Sequence, residues 1–261
     1  MEFAYSFAGL VVGFIIGLTG IGGGALMTPA LIVLFGIPPV IAVSTDLFYA
    51  AITKCGGIWA YAKNQFVEWK IVAFLLLGSV PSGLVTIGFL DKLESPAQLE
   101  YLINITLGIS LTLTSIAVFF RDKIQRFMTA NTQRPFHRHI EKWHSVLTIA
   151  CGVLLGVLVT LSSVGAGALG TAMLIILYPR LSMPAIIGTD LVHAVVLTSV
   201  AGAGHYQMGN MDFELLFYLL IGSLPGVLVG SHVAVKLSLK IMQPLIGSLL
   251  LMIGLRFILA S

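Results

Sequence analysis

Residues 13–46 read GFIIGLTGIGGGALMTPALIVLFGIPPVIAVSTD, and the chain returns to that pattern once. Residues 152–191 read GVLLGVLVTLSSVGAGALGTAMLIILYPRLSMPAIIGTDL, so Gly9, Gly13, Gly22, Gly24 and Leu26 recur at Gly152, Gly156, Gly165, Gly167 and Leu169. After one inserted residue, Thr45-Asp46-Leu47 recurs as Thr189-Asp190-Leu191. Further on, Gly78-Ser79-Val80-Pro81 recurs as Gly222-Ser223-Leu224-Pro225. An offset held across three separated motifs makes the chain two copies of one module.

The composition says what surrounds that module. Of 261 residues, 57% are hydrophobic and only 10% charged, with a mean hydropathy of +1.01. A soluble domain carries about 25% charged residues, so this chain cannot cover a globular surface with polar groups and must face lipid. Only helices and closed barrels satisfy their own backbone in hydrocarbon, and the apolar runs are too long and continuous for alternating barrel strands. The expectation is an all-α integral membrane protein. Cys55 and Cys151 lie inside apolar runs and read as small packing residues, with no disulfide framework. The net charge of +3 describes the loops and implies no nucleic-acid partner.

Hydrophobic periodicity and glycine breaks give segments at 3–19, 25–36, 40–62, 69–90 and 99–120, then at 145–161, 168–178, 184–206, 213–236 and 241–259. The first segment resembles a signal peptide, but it has no basic n-region and recurs in mid-chain, so it reads as structural. The second segment of each copy is too short to span and is joined to the first by glycines. Each copy is therefore expected to be a Gly-broken short-helix hairpin, re-entrant or fully spanning, followed by three transmembrane helices. Either crossing count is odd, so tandem copies must face opposite ways, as inverted-topology repeats do. Residues 1–120 form the first repeat, 121–144 a basic linker and 145–261 the second repeat.

The linker holds Arg121, Lys123, Arg126, Arg134, Arg138 and Lys142, and the positive-inside rule makes it cytoplasmic. Alternating outward places Lys63, Lys70, Arg180, Lys236 and Lys240 on the same side, leaving Lys92 and Arg256 outside and Lys54 within a segment. Both termini are then external. His137, His139 and His144 lie in this basic stretch without carboxylate or thiolate ligands, so it reads as a solvated loop and no metal is expected. Pro81 and Pro225 should kink the helices that contain them.

Several positions carry chemistry. Gly9, Gly13 and Gly17 have the spacing of close helix packing. The run Gly20, Gly22, Gly23, Gly24 instead breaks a helix and exposes backbone N–H groups at a half-helix N-terminus, which is an anion-binding arrangement. The second copy matches it with Ser162, Ser163, Gly165 and Gly167. The match of residues 165–170 to G-x-G-x-x-G is set aside, because that fingerprint needs a βαβ context. Asp46 and Asp190 are either dipole-stabilised acids capped by Thr45 and Thr189 or groups that couple protons or shape a gate. Lys54 is the most expensive residue to place in lipid; it either lines a cavity for an anion or pairs with an acid. Its counterpart is Thr198. His193 relays a proton or donates to a packed neighbour, while His205, Tyr61, Glu68 and Asp212 read as interfacial.

Together these residues resemble the sulfite exporter TauE/SafE family, also called the toluene sulfonate uptake permeases. The matching motifs are Gly20 to Gly24 with Pro29, Ser44-Thr45-Asp46-Leu47, Gln65-Phe66-Val67-Glu68-Trp69 and Gly78-Ser79-Val80-Pro81-Ser82-Gly83. The second copy supplies Gly165 to Gly167, Gly188-Thr189-Asp190-Leu191, Gly209-Asn210-Met211-Asp212-Phe213 and Gly222-Ser223-Leu224-Pro225-Gly226. Asp46 and Asp190 stand where the family usually has Ser, and Lys54 is an added charge. The resemblance implies a non-enzymatic permease of the bacterial inner membrane that exports sulfite or a small organosulfonate. Uptake of sulfate or another oxyanion, and a proton-coupled cation carrier, are the alternatives. The expected substrate site is Gly22, Gly23, Gly24, Thr45, Lys54, Ser162, Ser163, Gly165, Gly167 and Thr189, with Asp46, Asp190 and His193 for proton coupling or gating. The expected partners are a sulfur oxyanion, the bilayer and protons as a candidate coupling ion, with no cofactor; a homo-oligomer is left open.

Overall fold

Glycine runs, turns and polar loops cut the apolar sequence into helices, and the computed structural model describes residues 2–19, 24–93, 95–130, 143–234 and 239–260. Among these, the first copy forms α1 (Glu2–Thr19), α2 (Gly24–Phe35), α3 (Pro39–Lys63), α4 (Trp69–Leu90) and α5 (Pro96–Ala130). The second forms α6 (His144–Ser162), α7 (Ala168–Leu177), α8 (Met183–Gln207), α9 (Phe213–Ala234) and α10 (Leu239–Ala260). The described residues are 88% helical, with no strand among them. Ser182 caps α8, its hydroxyl accepting from the Ala185 N–H, and Pro184 lies in the first turn, where its missing N–H costs nothing.

Five helices, α4, α5, α6, α8 and α9, are long and apolar enough to cross a membrane. Large apolar side chains such as Phe3, Leu34, Trp59, Val85 and Leu259 are more than half exposed, as a lipid-facing surface requires. This is a multi-pass membrane protein. The long helix α3 matches a span in length but carries Asp46 and Lys54 inside it. It is shielded by packing on α8, whose apolar stretch is 72% buried against 39% for α4. The polar pair α3 and α8 thus forms the centre.

Packing follows the internal repeat. Helix α1 packs on α9, and its counterpart α6 packs on α4. Helices α3 and α8 pack on each other, as do α5 and α10. The α3–α8 crossing is antiparallel, since Ser44 meets His205 and Phe48 meets Gly202 at one end, while Gly57 meets Leu191 and Tyr61 meets Gly188 at the other. The α1–α9 pair is a two-sided glycine contact. Gly9, Gly13 and Gly17 lie on the backbones of Leu219, Ser223 and Val227, and Gly222, Gly226 and Gly230 lie on those of Ser6, Leu10 and Phe14. In α4–α6, Gly78 and Gly152 play the same part. With no hydrophobic drive between helices in lipid, such close backbone approach supplies the van der Waals contact that holds them.

Helices α4 and α9 carry Pro81 and Pro225 inside them. Two expectations change. Helix α5 continues past residue 120 to Ala130, because Arg121-Asp122-Lys123-Ile124-Gln125-Arg126 are mostly competent helix formers. Cys55 is exposed on α3 instead of packed inside, and Cys151 is half-buried; both are free thiols. Residues 131–142 of the linker, with His137 and His139, lie outside the described residues.

The glycine contact is testable. A Cβ at Gly13 would lie 2.7 Å from Ser223 Cα, whereas one at Gly88 meets nothing within 4 Å. Overpacking costs about 1–3 kcal/mol, and each kcal/mol is worth about 2–4 °C in a domain of this size. Gly13→Val should therefore lower the melting temperature in detergent by several degrees, and Gly88→Val should leave it in place.

Candidate functional site

The break between α6 and α7 is built by backbone conformation. Ser163 takes φ 57°, Gly165 φ 119° and Gly167 φ 132°, a region where a side chain strains the backbone and glycine does not. The turn exposes the Ala166 carbonyl in mid-bundle, where Lys54 Nζ donates to it at 2.8 Å. Lys54 comes from the second half of α3 and is only 7% exposed. Its positive charge also acts on Asp190, first, and on Asp46. The three charged groups of the central pair therefore form one electrostatic cluster across both repeats.

Each acid is held by its own copy. Thr171 Oγ1 donates to Asp190 Oδ2 at 3.0 Å, and Thr28 Oγ1 donates to Asp46 Oδ2. Thr28 and Thr171 occupy equivalent positions, so the same threonine–aspartate clamp is made twice. In each carboxylate the other oxygen, Oδ1, is buried without a hydrogen bond among the described residues. Gly170 makes room for Asp190, since a Cβ there would collide with its Oδ1. The equivalent position in the first copy is the buried Met27.

A cavity of about 260 Å³ opens beside this cluster. Lys54, Gly57 and Tyr61 line it from α3, Gly167 and Thr171 from the α7 region, and Asp190 from α8. At ~30 Å³ per water it accommodates a small hydrated anion. A second depression of about 310 Å³ lies at the end of α5, against Asp122, Lys123 and Arg126. Its lining is the outer, polar end of a helix, away from the buried charges, so it is not the better candidate.

The expected site residues separate into groups. Lys54, Gly167 and Asp190 meet at the cavity. Ser163 sits beside Asp46 across the repeat boundary. Gly24 begins α2, and Gly22 and Gly23 lie outside the described residues. Gly165 packs against Val159 and Leu155. Ser162 is fully buried and bonds to Ser110 Oγ and the Leu158 carbonyl. Thr189 accepts from the Glu68 N–H at 3.0 Å, and Thr45 from the Asp212 N–H at 3.4 Å, so each reaches the start of a helix in the other repeat. His193 Nε2 meets Ser79 Oγ at 2.9 Å in the interior, off the cavity lining. Its counterpart Tyr49 faces Ser223, the counterpart of Ser79.

One interfacial expectation fails. His205 is completely buried, with Nε2 donating to the Thr160 carbonyl and Nδ1 against Ser44 Oγ, both at 2.9 Å. Tyr61 lines the cavity. Sequence reading also missed Thr28 and Thr171, although their presence at the repeat offset was a usable signal. The Ala166 carbonyl had no signal of its own. Removing the clamp should be measurable: Thr171→Val leaves Asp190 without its donor and should cost about 1–3 kcal/mol, while Thr171→Ser retains stability. Thermal unfolding in detergent separates the two.

A family model described as Sulfite exporter TauE/SafE matches residues 5–257. A probable membrane transporter protein of Bacillus subtilis, YjnA, is 39% identical over 251 residues, covering 96% of this chain and 97% of its own. A second from that organism, YdhB, is 30% identical over 254 residues, covering 93% and 96%. A probable membrane transporter protein of Methanocaldococcus jannaschii is 29% identical over 254 residues, covering 89% and 86%. No solved structure matches.

Proposed function

The chain belongs to the TauE/SafE sulfite exporter family of membrane transporters, and from that premise we propose that it is a secondary carrier exporting sulfite or a small organosulfonate. The observation that carries the reading is a cavity of small-anion size with Lys54 in its wall and the Gly167 end of a broken helix beside it. A half-helix N-terminus at membrane depth favours an anion through its dipole. The ammonium adds a full charge where little water screens it. Glycine at 167 lets an oxyanion approach the backbone.

Direction is read from where the cavity lies. Its lining comes from the C-terminal halves of α3 and α9 and the N-terminal half of α8. These ends lead to Lys63 and Arg180, which the positive-inside rule assigns with the basic linker to the cytoplasm. The antiparallel crossing of the equivalent helices α3 and α8 supports an inverted pair of repeats. In that arrangement the cavity faces the cytoplasm, the termini are external, and the protein sits in the bacterial inner membrane loading substrate from inside. Asp46 and Asp190, each with one unbonded oxygen, are the groups suited to carry a coupled proton. The same free oxygens favour a second reading, a proton-coupled cation carrier, which the Lys54 charge beside them opposes.

Proteoliposomes loaded with labelled sulfite, sulfate or sulfoacetate, with and without a pH gradient, test this. Sulfite or sulfoacetate should move, and more slowly once the gradient is collapsed. Movement of a cation with no oxyanion flux would overturn the reading in favour of the second; sulfate flux alone would move it to an uptake-type oxyanion carrier.

A further inference from the structure

Helices α5 and α10, one from each repeat, pack antiparallel. Ser115 Oγ donates to the Gly247 carbonyl at 2.7 Å, the Phe119 ring lies against Gly247, and Gly254 lies on Gly108 and Thr112. Residues 101–120 of α5 carry no charge, and at about 1.5 Å per residue they span about 30 Å, the thickness of a hydrocarbon core. Arg121, Asp122, Lys123 and Arg126 follow at once. The depression of about 310 Å³ at this end therefore lies at the level of lipid headgroups. Phe119, Asp122, Lys123 and Arg126 line it from α5, and Gln243 and Pro244 from α10.

We infer that this depression binds the phosphodiester headgroup of an anionic phospholipid, with an acyl chain lying against α5 and α10 on the hydrocarbon side. Two cations against one carboxylate leave the lining with one positive charge, which a single phosphodiester neutralises. A zwitterionic headgroup brings its own ammonium and leaves that charge uncompensated. Helix α10 starts at this level, so the positive end of its dipole adds to the preference for an anion. Lys123 Nζ lies 5.5 Å from the centre of the Phe120 ring, its stem on apolar surface and its ammonium among the headgroups. Basic pockets between membrane helices recognise anionic lipids on these grounds. Ile116, one turn from Phe119, and Leu245, next to Pro244, are exposed, so the acyl chain has apolar surface to lie on.

The two faces of α5 divide the work. At 3.6 residues per turn, Phe119, Asp122, Lys123 and Arg126 fall within an arc of about 100°. Arg121 and Ile124 fall outside it. The Arg121 charge is in the field of Asp190 and Tyr61, which line the transport cavity, and Ile124 packs against the cluster holding Leu174 and Ile175 of α7. A bound lipid thus fixes the charged end of α5 beside the cavity without touching Lys54, and the site stands whichever substrate moves.

The probes are phosphatidylglycerol, phosphatidylethanolamine and phosphatidylcholine of one acyl composition, and inorganic phosphate. Each is titrated onto the detergent-purified full chain at about 0.15 M salt, with thermal unfolding and native mass spectrometry as readouts. Phosphatidylglycerol should raise the melting temperature and stay bound in the mass spectrum; the other three should do neither. Lys123→Gln combined with Arg126→Gln should raise the phosphatidylglycerol concentration required at least about tenfold, while melting as the wild type does in phosphatidylcholine. Lys92→Gln, at an exposed cation outside the depression, should change nothing. If the double variant melts low in phosphatidylcholine, Gln243→Trp replaces it, filling the depression from α10 with the charges intact, and should abolish the lipid effect. Equal stabilisation by phosphatidylethanolamine or phosphatidylcholine overturns the anionic headgroup. Equal stabilisation by inorganic phosphate overturns the lipid in favour of a free-anion site. An unchanged phosphatidylglycerol response in the folded variant, or an equal loss in Lys92→Gln, means that no lipid site lies here.

Discussion

The arrangement depends on one interaction: a lysine ammonium buried in a membrane bundle, held by the Ala166 carbonyl and by the charges of Asp190 and Asp46. A charge at bilayer depth costs at least about 2.5 kcal/mol, and breaking a buried charged pair on one side costs about 3–5 kcal/mol. Lys54 therefore requires the turn between α6 and α7, because that turn delivers the carbonyl. The turn requires Gly165 and Gly167 for their positive φ. Their conformations in turn put the first turn of α7, with Thr171, beside Asp190. A charge in the first repeat is thus bonded to a backbone carbonyl of the second and lies in the field of its Asp190.

The remaining packing keeps that centre closed to lipid. Helices α3 and α8 carry the charges, and α8 is the most buried of the five membrane-length helices. Around them stand the α1–α9 and α4–α6 pairs, each built from one helix of either repeat and joined through glycine contacts. Such pairs bring the two backbones close together through their glycines. Thr45 and Thr189 add a reciprocal link, each bonded to the first turn of a helix in the other half.

Much of the fold was legible because hydropathy and internal repetition act over long stretches. The ten helices among the described residues, the break at Ser163 to Gly167 and the glycine packing of Gly9, Gly13 and Gly17 follow from local pattern. The end of α5 was not legible, since a charged helical extension and a polar linker have the same hydropathy. At the site, Lys54, Asp46, Asp190 and Gly167 stood out because charge or helix-breaking in an apolar run is costly and visible. Thr28, Thr171, Thr160 and the Ala166 carbonyl did not, because threonines and backbone are ordinary in membrane helices and acquire meaning only from what they touch. His205 was misplaced for a related reason: its position near a helix end suggests an interface, but α8 is enclosed along that end by the other repeat.

The central claim is that Lys54 acts on the substrate and does not serve only as a counter-ion for Asp190. The most direct measurement is the KM for sulfoacetate flux in Lys54→Met, Asp190→Asn and the double variant, each matched for reconstituted amount. A direct charge contact predicts a KM raised at least about tenfold in Lys54→Met, ~1.4 kcal/mol, and no lower in the double variant. Return of the double variant to the wild-type KM would contradict the account and make Lys54 a structural partner of the acid.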